Sequence, residues 1–437
     1  MNLAEIIIVG AGPAGIAAAA AAAHHGRSVL LLDDNPTPGG QIWRSGAQSS
    51  RRRKDTREDA IKANALHQLR SSGATILSGT RVFDAPAPST LLALRETEAD
   101  PEILNLKYDR LILATGARER FLPFPGWTLP GVFGAGGLQA LVKGGFPVHG
   151  KRVLVAGSGP LLLAVAAHLL DDGTHITSVA EQAPISQLIP FAASLWSHPA
   201  KIRQAISYRT ALGRTPYRTG CWPVAAFAGE TTGSLKSVRL TDGAKTWDEP
   251  CELLACGFHL VPNTELASLL GCKLHDGFVE VNEHQQTSVA NIYCAGEPTG
   301  IAGLEAALLQ GKIAGLACAA QPTNSLQARN STAKKFATRL QAAFRLRSEL
   351  RSLPTPQTIV CRCEDVTFQS LASRHSWTDA KLQTRCGMGP CQGRICGPAA
   401  QTLFGWTPTS VRPPLSPVPI SALCFHNSQQ NTPQEIA

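Results

Sequence analysis

The sequence predicts an α/β protein in which two Rossmann-like β-α-β units precede a small cysteine-rich C-terminal domain. Three observations carry this. Gly10-x-Gly12-x-x-Gly15 joins a β-type run to an alanine-rich helical run, a second glycine turn recurs at Gly157-x-Gly159, and five of the twelve cysteines crowd into residues 361–396. At 437 residues the chain exceeds what one hydrophobic core fills, so two or three domains are expected.

The first unit spans residues 5–34, as a strand Glu5–Val9, the glycine turn, a helix reaching His24, and a strand Ser28–Leu32 that ends at Asp33-Asp34. The glycines, with Pro13 and Ala14 between them, allow a pyrophosphate to approach the helix N-terminus, and Asp33 is spaced to bond a ribose hydroxyl. Alanines let that helix sit close on its sheet. His24-His25 read as a capping or surface pair, and Arg51-Arg52-Arg53-Lys54 as a solvated loop leading into a charged helix. Three later segments favour a flavin over a nicotinamide nucleotide. They are Gly39-Gly40-Gln41, a strand-like Asp109–Leu113 running into Ala114-Thr115-Gly116, and Thr287–Glu297, which ends in Gly296-Glu297.

The second unit begins at Lys151, with a strand Arg152–Ala156, the turn Gly157-Ser158-Gly159-Pro160, a helix Leu161–Leu170 and a strand His175–Val179. Leu162 stands where close packing asks for a third small residue, which argues against NAD(P) binding. Glu181 keeps the ribose-type acid and leaves a nucleotide open. No C-x-x-C occurs in the chain, and Cys251 and Cys256 read as small buried hydrophobes, so thiol–disulfide chemistry is not expected.

In the C-terminal segment, Cys361-Arg362-Cys363 is followed by Cys386, Cys391 and Cys396, and four thiolates suffice to close an iron–sulfur or a zinc site. From Leu326 to the end there are 13 Lys+Arg against 5 Asp+Glu, an excess suited to offsetting an anionic cluster. Aromatic residues make up 6% of the chain and form no stacking pattern, so no nucleic-acid partner is expected. No signal peptide is apparent, and the longest apolar runs fall far below the roughly 20 residues of a membrane span. Unpaired cysteines then suggest a cytoplasmic protein.

On these residues the first 320 positions resemble the two-dinucleotide-binding flavoprotein reductases. The text from Cys361 to Cys396 resembles the [2Fe–2S] domain of the bacterioferritin-associated ferredoxin type. Taken whole, the chain resembles a family that includes the α or A subunits of opine (octopine and nopaline) oxidases and of D-hydroxyproline and L-proline dehydrogenases, and the B subunit of hydrogen cyanide synthase. The resemblance implies a discontinuous FAD domain (1–120 and 285–320), a degenerate second dinucleotide domain (121–284) and a connector (321–357). After these it implies a small α-rich [2Fe–2S] domain (358–405) and a Pro/Ser-rich tail (406–437). It implies FAD contacts from Gly10, Gly12, Pro13, Ala14, Gly15, Asp33, Asp34, Gly40, Gln41, Val82, Ala114, Thr115, Gly116, Gly296 and Glu297, the last replacing the family's Asp. Gly157, Gly159 and Glu181 are the corresponding positions of the second module.

The implied cluster ligands are Cys361, Cys363, Cys391 and Cys396, with Cys386 as a substitute. The implied role is electron transfer from an FAD-dependent β subunit that oxidises an amino acid or opine, and no substrate-oxidising residue is assigned to this chain. The resemblance leaves open an FMN at a subunit interface, a small third subunit of ferredoxin type, and peripheral contact with a respiratory acceptor. Two other readings compete: a self-sufficient NAD(P)H:acceptor oxidoreductase, and a non-redox scaffold that merely holds a nucleotide.

Overall fold

The computed structural model describes residues 2–44, 57–98, 100–407 and 411–424, so the basic run at 51–54 lies outside it. The first sheet is built around the strand Asn2–Val9, whose Ile6, Ile7 and Ile8 are all buried. A strand covered on both faces needs such a continuous apolar run, and parallel neighbours supply the cover. It pairs in parallel with Val29–Leu32 on one side and Glu102–Leu113 on the other, in register Val9 with Leu32 and Leu113. Thr75–Leu77 extends one edge, while Thr90–Arg95 and Thr80–Ala87 extend the other in antiparallel fashion.

The chain returns to this sheet much later, when Ile292–Cys294 pairs in parallel with Leu111–Leu113. Between departure and return it forms a second, wholly parallel sheet in the order 217–219, 175–181, 152–158, 253–258, 132–134. A three-stranded antiparallel meander (222–228, 235–241, 246–250) packs with it. The two crossings lie side by side, because Ala117–Glu119 on the way out pairs antiparallel with Leu260–Pro262 on the way back. Residues 266–279 already share the first sheet's core, with Leu266, Ala267, Cys272 and Val279 buried among its strands.

The returning segment locks in through a helix pair. Leu304–Cys318 crosses Pro13–Ala23 so closely that a Cβ on Gly311 would overlap the Ala14 backbone, and one on Gly315 the Ala18 backbone. Only glycine permits that distance.

The connector contains a helix Asn324–Ala343, after which Leu350 and Leu353 enter the second sheet's core. The C-terminal unit is a two-stranded ribbon, Ile359–Cys361 with Val366–Thr367, and the helices Phe368–Ala372, Trp377–Thr384 and Cys396–Phe404. Thr367 and Ser376 cap the first two of these helices by accepting from Ser370 N and Asp379 N. The tail crosses back to the first sheet, where Leu415 N donates to the Phe83 carbonyl at 2.8 Å and Ala422 is buried against Phe83, Leu92 and Leu94. No helix among the described residues is long and apolar enough to cross a membrane.

Forcing a side chain into the helix crossing should be far costlier than straining an open turn. Gly311→Val is expected to lose at least about 3 kcal/mol in chemical denaturation, against about 1 kcal/mol for Gly26→Ala, whose φ of +75° faces free space.

Candidate functional site

The strand Asn2–Val9 delivers the chain to Gly10, where φ is +105° and the Ala114 carbonyl occupies the space of a Cβ. Helix Pro13–Ala23 then begins with Gly12 as N-cap, Pro13 at its start, no side chain bonding its first N–H groups and no acid in its first turn. Free amides at a helix N-terminus are the standard cradle for a phosphate. Gly40 closes over them from the neighbouring loop, so near that a Cβ there would stand 2.9 Å from Gly12 Cα. Asp33 is 5% exposed; it accepts from Ala11 N, and its Oδ1 takes both Asn35 N and Asn35 Nδ2 at 2.7 Å. A carboxylate has lone pairs to spare for a ribose hydroxyl beyond these. Asp34 and Gln41 are exposed near the same turn, and Val82 is buried in the sheet.

The other end of this crevice gathers at the carboxyl ends of Glu102–Leu113 and Ile292–Cys294. Thr115 Oγ1 donates to the Asn263 carbonyl at 2.6 Å, and Asn263 answers by donating its N to Gly116 O and its Nδ2 to Thr115 O. Gly296 N donates to the buried Gln310 Oε1 at 3.0 Å, which Thr299 Oγ1 also reaches. Glu297 accepts from Ala117 N, and burial pushes its carboxyl above the usual range. Gly303 caps the helix Leu304–Cys318 with no side-chain bond, leaving a second bare N-terminus. Two uncapped helix starts, a buried acid and backbone-to-backbone glycine contacts along the parallel strands of one sheet fit a dinucleotide such as FAD.

The second glycine turn is overlain by the connector. Glu181 is fully buried and accepts Gly159 N at 2.7 Å and Ala183 N at 2.9 Å, contacts equivalent to those Asp33 makes at the first turn. Burial pushes its carboxyl up to about 7. Connector residues 344–347 lie across the same turn: Ser158 Oγ donates to Phe344 O, Gln182 Nε2 to Ser158 Oγ and Arg345 O, and Arg347 N to Gln182 Oε1. Arg347 is further held over the Trp222 ring at 4.2 Å. Leu162 points into the core, 1% exposed.

In the C-terminal unit the sulfurs of Cys361, Cys386 and Cys396 are buried and lie within 4.8 Å of one another. Cys391 bonds to Cys396 and to Cys363, the exposed member, so all five thiols form one network. Donors from Cys386 and Cys396 hold the Cys361 thiol down at about 2. Gly387 N points at Cys361 Sγ from 3.5 Å. The glycines here have steric causes, since a Cβ on Gly387 or Gly393 would stand 2.6 or 2.9 Å from the Trp377 ring, and one on Gly389 would overlap Cys363. An all-thiol donor set suits iron–sulfur or zinc.

One residue that sequence reasoning missed joins the two centres. Arg118 donates Nη1 to Asn263 Oδ1 at 2.6 Å, pairs through Nη2 with Glu265 at 2.8 Å, and donates Nε to the Arg394 carbonyl at 3.1 Å, between Cys391 and Cys396. Arg394 in turn donates to Leu415 O in the tail at 2.7 Å. Beside this bridge opens a cleft of about 2250 Å³, lined in part by Arg118, Arg120, His259 and Arg394. Arg120 Nε and His259 Nε2 are buried there with no hydrogen-bond partner, and burial holds the His259 ring neutral, down at about 4. Only the nearness of Arg118 to Gly116 in the sequence offered a cue.

The buried Glu181 has a pH consequence. Between its ordinary 4.5 and about 7 the folded chain holds a proton that the unfolded chain releases, so stability falls as pH rises through that window, by up to roughly 3 kcal/mol. Glu181→Gln is expected to flatten that slope in denaturation curves taken from pH 5 to 8.

A model of the family described as pyridine nucleotide-disulphide oxidoreductase matches residues 4–320. The A subunit of opine oxidase from Agrobacterium tumefaciens is 30% identical, covering 90% of this chain and 84% of its own length. The HcnB subunit of hydrogen cyanide synthase from Pseudomonas aeruginosa is 32% identical over 97% of this chain and 98% of its own. The crystal structure of L-proline dehydrogenase from P. horikoshii shares the fold at a TM-score of 0.66 and 18% identity, covering 97% of this chain and 79% of that one. The chain is thus a member of the pyridine nucleotide-disulphide oxidoreductase family, a flavin-dependent oxidoreductase similar over nearly its full length to subunits of opine oxidase and hydrogen cyanide synthase.

Proposed function

We propose that this chain is the electron-transferring flavin and iron–sulfur subunit of a heteromeric amino-acid or opine dehydrogenase, supplied by the substrate-oxidising flavin of a partner β subunit. The observation that carries this reading is the connector laid across the second turn. Bonded there through Ser158 and Gln182, it crowds the place an NAD(P)H would take, which favours electrons arriving from a partner. That counts against a self-sufficient NAD(P)H oxidoreductase. The relatives' names, each that of one subunit of a larger enzyme, support a partner chain.

In this reading residues 1–120 and 285–320 hold FAD, 121–284 form the degenerate module, 321–357 connect, 358–405 hold the cluster and 406–437 are tail. Gly10, Gly12, Gly15, Gly40 and Asp33 grip the nucleotide half, and Thr115, Gly116, Gly296 and Glu297 border the flavin half. Cys361, Cys363, Cys391 and Cys396 ligate the cluster, with Cys386 available to replace one of them. When bound, FAD supplies two-electron chemistry and a [2Fe–2S] cluster one-electron chemistry. The protein's own part is positional: the bare N-terminus at Gly303 favours negative charge nearby, Gly387 N tunes a sulfur, and Arg118 fixes the spacing. The cleft that Arg118, Arg120 and Arg394 line suits a phosphate-bearing flavin such as FMN, with the neutral His259 as a further polar contact. The lack of any disulfide among the described cysteines fits a reducing cytoplasm.

Anaerobic NADH added to the isolated chain is expected to leave the flavin absorbance intact, whereas dithionite should bleach it and raise a low-temperature paramagnetic signal. Prompt bleaching by NADH would overturn the reading. Cys361→Ser and Cys391→Ser are expected to lose most of the iron in metal analysis, and Cys386→Ser to keep it; zinc in place of iron would refute the cluster.

A further inference from the structure

The helix Ile185–Ser194 is apolar on two sides. Leu188, Phe191 and the following Leu195 pack on Phe336, Leu340 and Phe344 of the connector. On another side Ile185 and Ile189, one turn apart, are 58% and 60% exposed, and Trp196, seven residues further on, is 84% exposed. Ile185 and Ile189, four apart, share one line of the helical surface, and Trp196 stands in the 3-10 turn Leu195–Ser197 that follows the helix. Ile206, 59% exposed, is a further large apolar side chain in water, on the helix Pro199–Ala211. Large side chains left in water at this density mark an interaction surface.

The charge carried by this stretch of chain has one sign. Lys201, Arg203, Arg209, Arg214 and Arg218 fall between Glu181 and Glu230, and no Asp or Glu intervenes over that whole stretch. The patch also adjoins the candidate flavin site. Lys201 Nζ lies 3.8 Å from Glu305, in the first turn of the helix Leu304–Cys318, and 3.9 Å from where a Cβ on Gly303 would stand.

We infer that this face docks the substrate-oxidising partner subunit, through a partner surface with an apolar centre and an acidic rim. The inference rests on the function proposed above and adds the place of contact. Trp196 supplies the aromatic anchor that dominates such interfaces, the isoleucines supply the dry surround, and the cations select an acidic partner and speed its approach. The continuity with the helix start at Gly303 favours a redox partner over a lipid surface, because the contact then brings the two flavoproteins together beside the flavin.

The test uses the full chain, tagged and purified with its associated flavoprotein. Trp196→Glu, and separately the pair Ile185→Glu with Ile189→Glu, are expected to cut the partner recovered per chain at least tenfold. The chain's own flavin content, melting temperature and paramagnetic signal should stay unchanged, and raised salt should weaken the wild-type complex. Ile420→Glu, a change at another exposed isoleucine, should leave the complex intact. Wild-type partner recovery in both patch variants would overturn the docking face while leaving the functional proposal standing. A wild-type chain that carries no second flavoprotein would sink both. If the partner-free chain instead sediments with phosphatidylglycerol vesicles, or self-associates, in a Trp196-dependent way while the partner stays bound to the variants, the face belongs to a membrane or to a second copy and the inference is wrong.

Discussion

Everything able to grip a flavin in this chain depends on two helices meeting at backbone distance. Ala14 and Ala18 on one, Gly311 and Gly315 on the other, let segments far apart in the chain share one sheet. Without that contact the phosphate cradle at Gly12 and the helix start at Gly303 would belong to separate pieces. The crevice between them is therefore a product of chain return, and the strand Ile292–Cys294 completes it by extending the same sheet.

The same architecture is used twice, and the two copies differ in what covers them. Both helix starts lack a side-chain cap and both acids are buried and accept a turn amide, but at the second turn the connector adds Ser158 and Gln182 to a set of bonds that reaches Phe344, Arg345 and Arg347. Burying Glu181 is costly, and the two backbone donors only partly offset the cost. The second sheet carries the meander, the connector and the surface helices around that turn.

How much of this could be read beforehand follows from the range of each interaction. The glycine turns, the alanine helix, the late Gly-Glu and the crowded cysteines are local patterns, and the α/β fold with its C-terminal cysteine cluster was legible from them. Glu181 kept the spacing of a ribose acid, and spacing along the chain cannot show that the connector would lie across its turn. Cys386 looked surplus, yet its sulfur lies with Cys361 and Cys396 inside the buried group, because the turn at Arg385, with φ of +64°, brings it inward. Arg118, Asn263 and Gln310 carried no motif at all; each works by reaching a residue that the fold, not the sequence, makes a neighbour.

Arg118 has a consequence for how charge would move through the molecule. Its guanidinium is bound at once to the flavin-side turn through Asn263, to Glu265, and to the cysteine loop through the Arg394 carbonyl, while Arg394 itself is tied to the tail that crosses the first sheet. In the proposed reading, these ties set the gap between flavin and cluster by the fold, and the tempo of transfer follows driving force instead of a searching arm.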